Sequence, residues 1–154
     1  MKGKRKTSSK EKQWGGWENS WRCGDSCWAA PPSQMSVLAW NCRGLGASPA
    51  IRTVTKVVKQ KNSMVIFLVE TKASIDRMKG FQNKLGFTQG IIVLSDGRSG
   101  GLALLWREGM DIHFKSCSHS HIDAVVNGEG NESPWRVIGF YGHPNTEKRY
   151  TSWQ

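Results

Sequence analysis

Acidic residues are scarce in this chain of 154 residues: 12 Asp and Glu stand against 22 Lys and Arg, a formal net charge of +10. Such a surplus turns the chain away from cationic partners and toward polyanions, nucleic acid first among them. Cysteines are few as well. Cys23, Cys27, Cys42 and Cys117 form no repeated C-x-x-C pattern, and no His or Cys pair follows at finger spacing, which argues against structural zinc. Long hydrophobic runs are missing: the stretch 64–69 is 6 residues, far short of a membrane span. The start is charged and has no apolar segment of the secretory kind. The expectation is a nuclear or cytoplasmic protein with free thiols, of a length that fits one domain.

What is present divides at Met35. Residues 1–34 hold seven Lys and Arg against three acids, and four of the chain's eight tryptophans: Trp14, Trp17, Trp21 and Trp28. Lys4, Arg5 and Lys6 lie in a basic cluster fit for phosphate contact or nuclear targeting, or for a solvated tail. The first three tryptophans share helical spacing, yet Gly, Ser and charge surround them and Pro31-Pro32 follows. The reading is a disordered basic extension, with residues 35–154 as the folded part.

The folded part is organised around 35–46. Apolar and β-branched residues predict a strand over 36–42. It runs into Asn41-Cys42-Arg43-Gly44-Leu45-Gly46, which puts an amide and a guanidinium at a strand's carboxyl end. Open α/β sheets bind ligands at that edge; a plain Gly-rich turn opening a helix fits the same spacing. Ser48-Pro49 starts a helix carrying Ile51, Val54, Val57 and Val58 on one face. Residues 64–69 are apolar throughout, as in a strand buried on both sides, and end in Glu70-Thr71-Lys72. A second helix from Ser74 turns Ile75, Met78, Phe81 and Leu85 inward and closes at Gly86. Strand–helix–strand–helix opens a layered α/β domain. Strands then fit 87–94, 102–107, 111–118, 121–126 and 135–141, with short turns between them, and read as one antiparallel meander. The stretch 145–154 starts a helix at most.

A Glu at the mouth of a buried strand is costly unless it is paired or binds a metal. Glu70 with the Asn41 amide oxygen makes a plausible start for a Mg²⁺ site; an ion pair with Lys72 or Arg43 is the structural alternative. Tyr141 and His143 sit at a third strand end, where a hydroxyl or imidazole could meet phosphate or simply complete a turn.

Taken together, Trp40-Asn41-Cys42-Arg43-Gly44-Leu45-Gly46, Glu70-Thr71-Lys72, Ser99-Gly100-Gly101-Leu102-Ala103-Leu104-Leu105-Trp106 and Gly139-Phe140-Tyr141-Gly142 resemble the endonuclease/exonuclease/phosphatase superfamily. More narrowly, they are similar to the apurinic-endonuclease-like domain of plant LINE-type retrotransposons. The resemblance implies an α/β fold, part of a four-layer sandwich with a mixed sheet and two helices on one face, and Mg²⁺-dependent phosphodiester hydrolysis on DNA. It implies catalytic roles for Asn41, Glu70 and Tyr141, with Glu70 and Asn41 at the metal, and nucleic-acid contacts from Arg43, Lys72, Lys4, Arg5 and Lys6. The family's later Gly-Asp-Phe-Asn and Ser-Asp-His motifs are not found here. His113, His119 and His121 do not match the closing motif and read as ordinary strand residues. The expectation is the first half of a nuclease domain, inactive by itself. Non-catalytic nucleic-acid binding and a pseudogene product are the other readings. With half a sandwich, the strands from 102 to 141 are expected to have too little to pack on.

Overall fold

The computed structural model describes residues 35–46, 48–97, 100–128, 130, 132–142 and 150. The basic extension with Lys4, Arg5 and Lys6, as well as Ser99, His143 and the stretch 145–154 apart from Tyr150, lies outside the described residues.

Seven strands and two helices follow one another: β1 (Val37–Asn41), α1 (Ser48–Lys61), β2 (Val65–Val69), α2 (Ile75–Leu85), β3 (Gln89–Val93), β4 (Leu102–Trp106), β5 (Ile112–Cys117), β6 (His121–Val126) and β7 (Trp135–Phe140). The local signals explain most of the boundaries. At the start of α2 the Ser74 hydroxyl accepts from the Arg77 backbone N–H, and Gly86 closes the helix in the left-handed conformation at φ 75°.

The strands form two sheets rather than one meander. The first has the order β1-β2-β4-β3, with β1 parallel to β2 and both other pairings antiparallel. The second is β5-β6-β7, all antiparallel. The expected continuous meander therefore breaks after β4, which inserts between β2 and β3. Its composition explains the choice: all five residues of Leu102–Trp106 are buried, so this strand needs cover on both faces.

That two-sided burial builds three layers. Ile66 and Leu68 of β2, with Ala103 and Leu105 of β4, pack under Val54 and Val58 of α1 and Met78, Phe81 and Leu85 of α2. Both helices thus lie on one face of the mixed sheet. Val65 and Phe67 of β2, with Leu102, Leu104 and Trp106 of β4, point the other way and meet Ile122 and Ala124 of β6. The sheets come close at Gly139, where an added Cβ would overlap the Phe67 ring.

Two expectations need correction. Ile75, read as inward, is exposed, because it sits at the helix mouth while Ala73 fills the core beside it. The strands after residue 102 are also better covered than expected: the chain supplies its own second sheet, whose inner face closes on the first. Large apolar exposure there is confined to Phe114 (54%) and Ile138 (56%). On the other face of the second sheet, the buried Asp123 carboxylate is held by the Arg136 guanidinium through both its oxygens.

Candidate active site

β1 and β2 are parallel and in register, with Asn41 opposite Val69, so Asn41 and Glu70 emerge at the same carboxyl edge of the first sheet. The Asn41 Nδ2 donates to Glu70 Oε1 at 3.1 Å, and the Arg43 backbone N–H donates to Asn41 Oδ1 at 3.0 Å. The second bond fixes the orientation of the amide: a backbone N–H needs an oxygen, which leaves the amide nitrogen to face the carboxylate. In this arrangement Asn41 orients Glu70 rather than presenting its oxygen alongside it.

Tyr141 arrives from the second sheet. It follows β7, and its hydroxyl donates to the same Oε1 at 2.8 Å across 71 residues of chain. The turn between β5 and β6 supports it, since the Tyr141 backbone N–H donates to the Ser120 carbonyl at 2.7 Å. Oε1 is therefore held by both donors, while Oε2 faces Lys72 Nζ at 3.8 Å. Asn41 above all, with help from Tyr141, Lys72 and Arg43, holds the Glu70 carboxyl below its usual 4.5, against the opposing effect of burial. It is ionised at neutral pH. The neighbouring Cys42 thiol is pushed up to about 12, first by burial and then by the Glu70 charge, which makes it inert as a nucleophile.

The backbone at this edge is unusual. Arg43 (φ 49°), Glu70 (φ 54°) and Lys72 (φ 45°) all adopt left-handed conformations without being glycine. Each such residue costs on the order of 1–3 kcal/mol and persists only where its surroundings over-determine it. The surroundings here are a lattice of backbone bonds. Gly44 N–H donates to Glu70 O at 2.8 Å, Leu45 N–H to Thr71 O at 2.7 Å, and Thr71 N–H to Gly101 O at 3.1 Å. Gly101, at φ 86°, has no room for a side chain because a Cβ would overlap the Thr71 hydroxyl. The glycine pair before β4 thus braces the Glu70 turn. Sequence reasoning gave Gly100, Gly101 and Thr71 no individual role. The Gly-Gly pair ahead of an apolar strand was the visible signal, but its partner across the sheet was not.

The structure brings together Asn41, Glu70, Tyr141, Arg43 and Lys72, all within this edge or its turns. Among the described residues no group of three or more His, Cys, Asp or Glu is placed to hold a metal ion. The donor set fits a single-carboxylate site, with Glu70 Oε2 as the protein ligand and water or substrate phosphate supplying the rest. His113 pairs with Asp111, and His121 is held between Ser116 and Ser118; neither faces Glu70 in these contacts.

No protein-family model matches the chain, and no curated protein matches it in sequence. Among solved structures, truncated TDP2 from Caenorhabditis elegans superposes with a TM-score of 0.50 at 18% identity, covering 73% of this chain and 48% of that one. A selenomethionine form of TDP2 from the same organism gives a TM-score of 0.49 at 18% identity, over 73% of this chain and 36% of that chain. The chain spans about half, or less, of these structures. The first likeness shows the fold: two helices and two sheets of the endonuclease/exonuclease/phosphatase type.

Proposed function

We propose that this chain carries the phosphate- and metal-orienting half of a phosphodiesterase site acting on DNA, in a domain of retroelement descent related to the plant LINE endonucleases. The observation that supports this reading best is the Glu70 carboxylate clamped by Asn41 and Tyr141 from two different sheets, on a turn that holds non-glycine residues in left-handed conformations. Glu70 Oε2 would hold Mg²⁺, which in such sites neutralises charge developing on the transferred phosphoryl oxygens. Lys72 lies 3.8 Å from that oxygen and the Arg43 charge acts on the same carboxylate; both would fix a phosphate beside it. The Tyr141 hydroxyl keeps the carboxylate aimed with its one proton, and would have to release Glu70 Oε1 to donate to a phosphate oxygen instead.

The residues in hand stop short of a complete reaction. Attack on phosphorus needs a group that takes a proton from water, and among the described residues no cluster of three or more His, Cys, Asp or Glu forms that could hold a metal and supply such a base beside it. The site as described binds and orients; turnover needs a further base. A chain acting on DNA would work in the nucleus, or in the cytoplasm before import.

The experiment is nicking of supercoiled plasmid by the purified chain with Mg²⁺, beside Glu70→Ala. The expected result is no Mg²⁺-dependent nicking by either protein, with DNA binding weakened by Lys72→Ala and Arg43→Ala. Robust nicking abolished by Glu70→Ala would show that a base is present after all. A second reading, binding without chemistry, draws on the net charge of +10. It is favoured if DNA affinity is insensitive to Glu70→Ala and to Mg²⁺.

A further inference from the structure

A cleft of about 460 Å³ opens at the end of the sandwich opposite Glu70. Met35 precedes β1 and Met64 precedes β2, while Glu108, Met110 and Asp111 follow β4, so the cleft sits at the amino ends of the parallel pair. Three methionines give it a soft apolar floor of the kind that adapts to aromatic rings. Glu108, Asp111 and Glu132 line its rim, and none of the described residues lining it is basic. In a chain with 22 Lys and Arg, that is a local reversal of charge. Its size falls within the usual range for pockets that enclose a small ligand, which is ample for an indole ring.

Met35 lines the cleft and is also the residue to which the extension is joined. The extension is basic and carries tryptophan, the charge and shape that the cleft lacks. Trp28 lies seven residues before Met35, within reach of roughly 25 Å of extended chain, and Trp21 is followed directly by Arg22.

We propose that residues 1–34 dock onto this cleft, with Trp21 or Trp28 seated against Met35, Met64 and Met110 and Lys or Arg side chains facing Glu108 and Glu132. Docking at this end leaves the Glu70 edge uncovered and tethers Lys4, Arg5 and Lys6 to the body of the domain. The inference stands apart from the phosphodiesterase reading and does not need it.

Methionine-methyl NMR on the full chain tests it. An indole face against a methyl shifts that methyl upfield, so Met35, Met64 and Met110 should move downfield together in Trp21→Ala/Trp28→Ala. Met78, sealed in the helix-side core, should stay put and so reports that the fold is intact. Charge reversal by Glu108→Lys with Glu132→Lys should expose Arg22 to trypsin, with cleavage about tenfold faster as the open population rises. Two results would overturn the proposal: unchanged methionine methyls in the double tryptophan variant, or methyl shifts that disappear on dilution. The latter would make the occupant a second copy of the chain.

Discussion

Gly139→Ala tests how the two sheets are held together. Gly139 lies on β7 opposite Ile122, and an added Cβ would overlap three atoms of the Phe67 ring. Phe67 is buried between the sheets and cannot swing outward without opening the layer. Overpacking of this kind costs about 1–3 kcal/mol. Against the roughly 5–15 kcal/mol that holds a domain together, the expected fall in midpoint is about 5–15 °C, at several degrees per kcal/mol for a domain near this size. Phe67→Leu alone also destabilises, because it removes ring atoms from a packed layer. The double variant should lose less than the two singles together, with a favourable coupling of roughly 0.5–3 kcal/mol, since the smaller side chain makes room for the methyl. Thermal melts of all four proteins followed by circular dichroism read this directly. If Gly139→Ala is neutral, or if the two effects simply add, the close approach of β7 to β2 is not what the geometry says it is. The position matters for the site as well: Tyr141 lies two residues beyond Gly139, so a displaced β7 pulls its hydroxyl away from Glu70.

Further outcomes follow from the site and the charge. Calorimetric titration should show Mg²⁺ binding only in the millimolar range, as one carboxylate flanked by Lys72 supplies little charge for a hard cation; sub-micromolar binding that survives Glu70→Ala would place the ion elsewhere. Because the folded protein holds the Glu70 carboxyl below its usual 4.5, its contribution to stability is complete above that pH and fades as pH falls through the lower folded value. Glu70→Gln should therefore flatten the acid limb of the stability curve below about pH 4.5, and an unchanged limb in denaturant melts would show that the carboxylate is not held by its partners. Deleting residues 1–34 should weaken DNA binding and reduce the slope of log K against log salt, because each Lys or Arg that neutralises a phosphate releases a counterion. An unchanged slope would mean that the extension touches no phosphate.

The sequence by itself determined the elements and, apart from Ile75 and the cover over the later strands, their burial. The unbroken apolar run ending at Val69 demanded cover on both faces, and it has that cover. Ser74 and Gly86 marked α2 because a hydroxyl can cap free N–H groups and a glycine can turn left-handed. Asn41 and Glu70 were legible as neighbours, since parallel strands joined by a helix bring their carboxyl ends to one edge, and the parallel register sets Asn41 beside Val69. Tyr141 was legible as a strand end carrying a hydroxyl, but only the family resemblance joined it to Glu70, because nothing local ties a strand end 71 residues away to a given carboxylate.

Tertiary structure decided the rest. Alternation along a strand tells which faces are buried, not which strand lies alongside. The insertion of β4 between β2 and β3, and the step to a second sheet at β5, were therefore not readable from pattern. Nor were the left-handed turns at Arg43, Glu70 and Lys72, where residue type argues against the conformation and only the backbone lattice from Gly44, Leu45, Gly100 and Gly101 enforces it. Strain of this kind is invisible to propensity because its compensation comes from residues distant in sequence. The geometry at Glu70 depends on that compensation, which exists only once the strands have met.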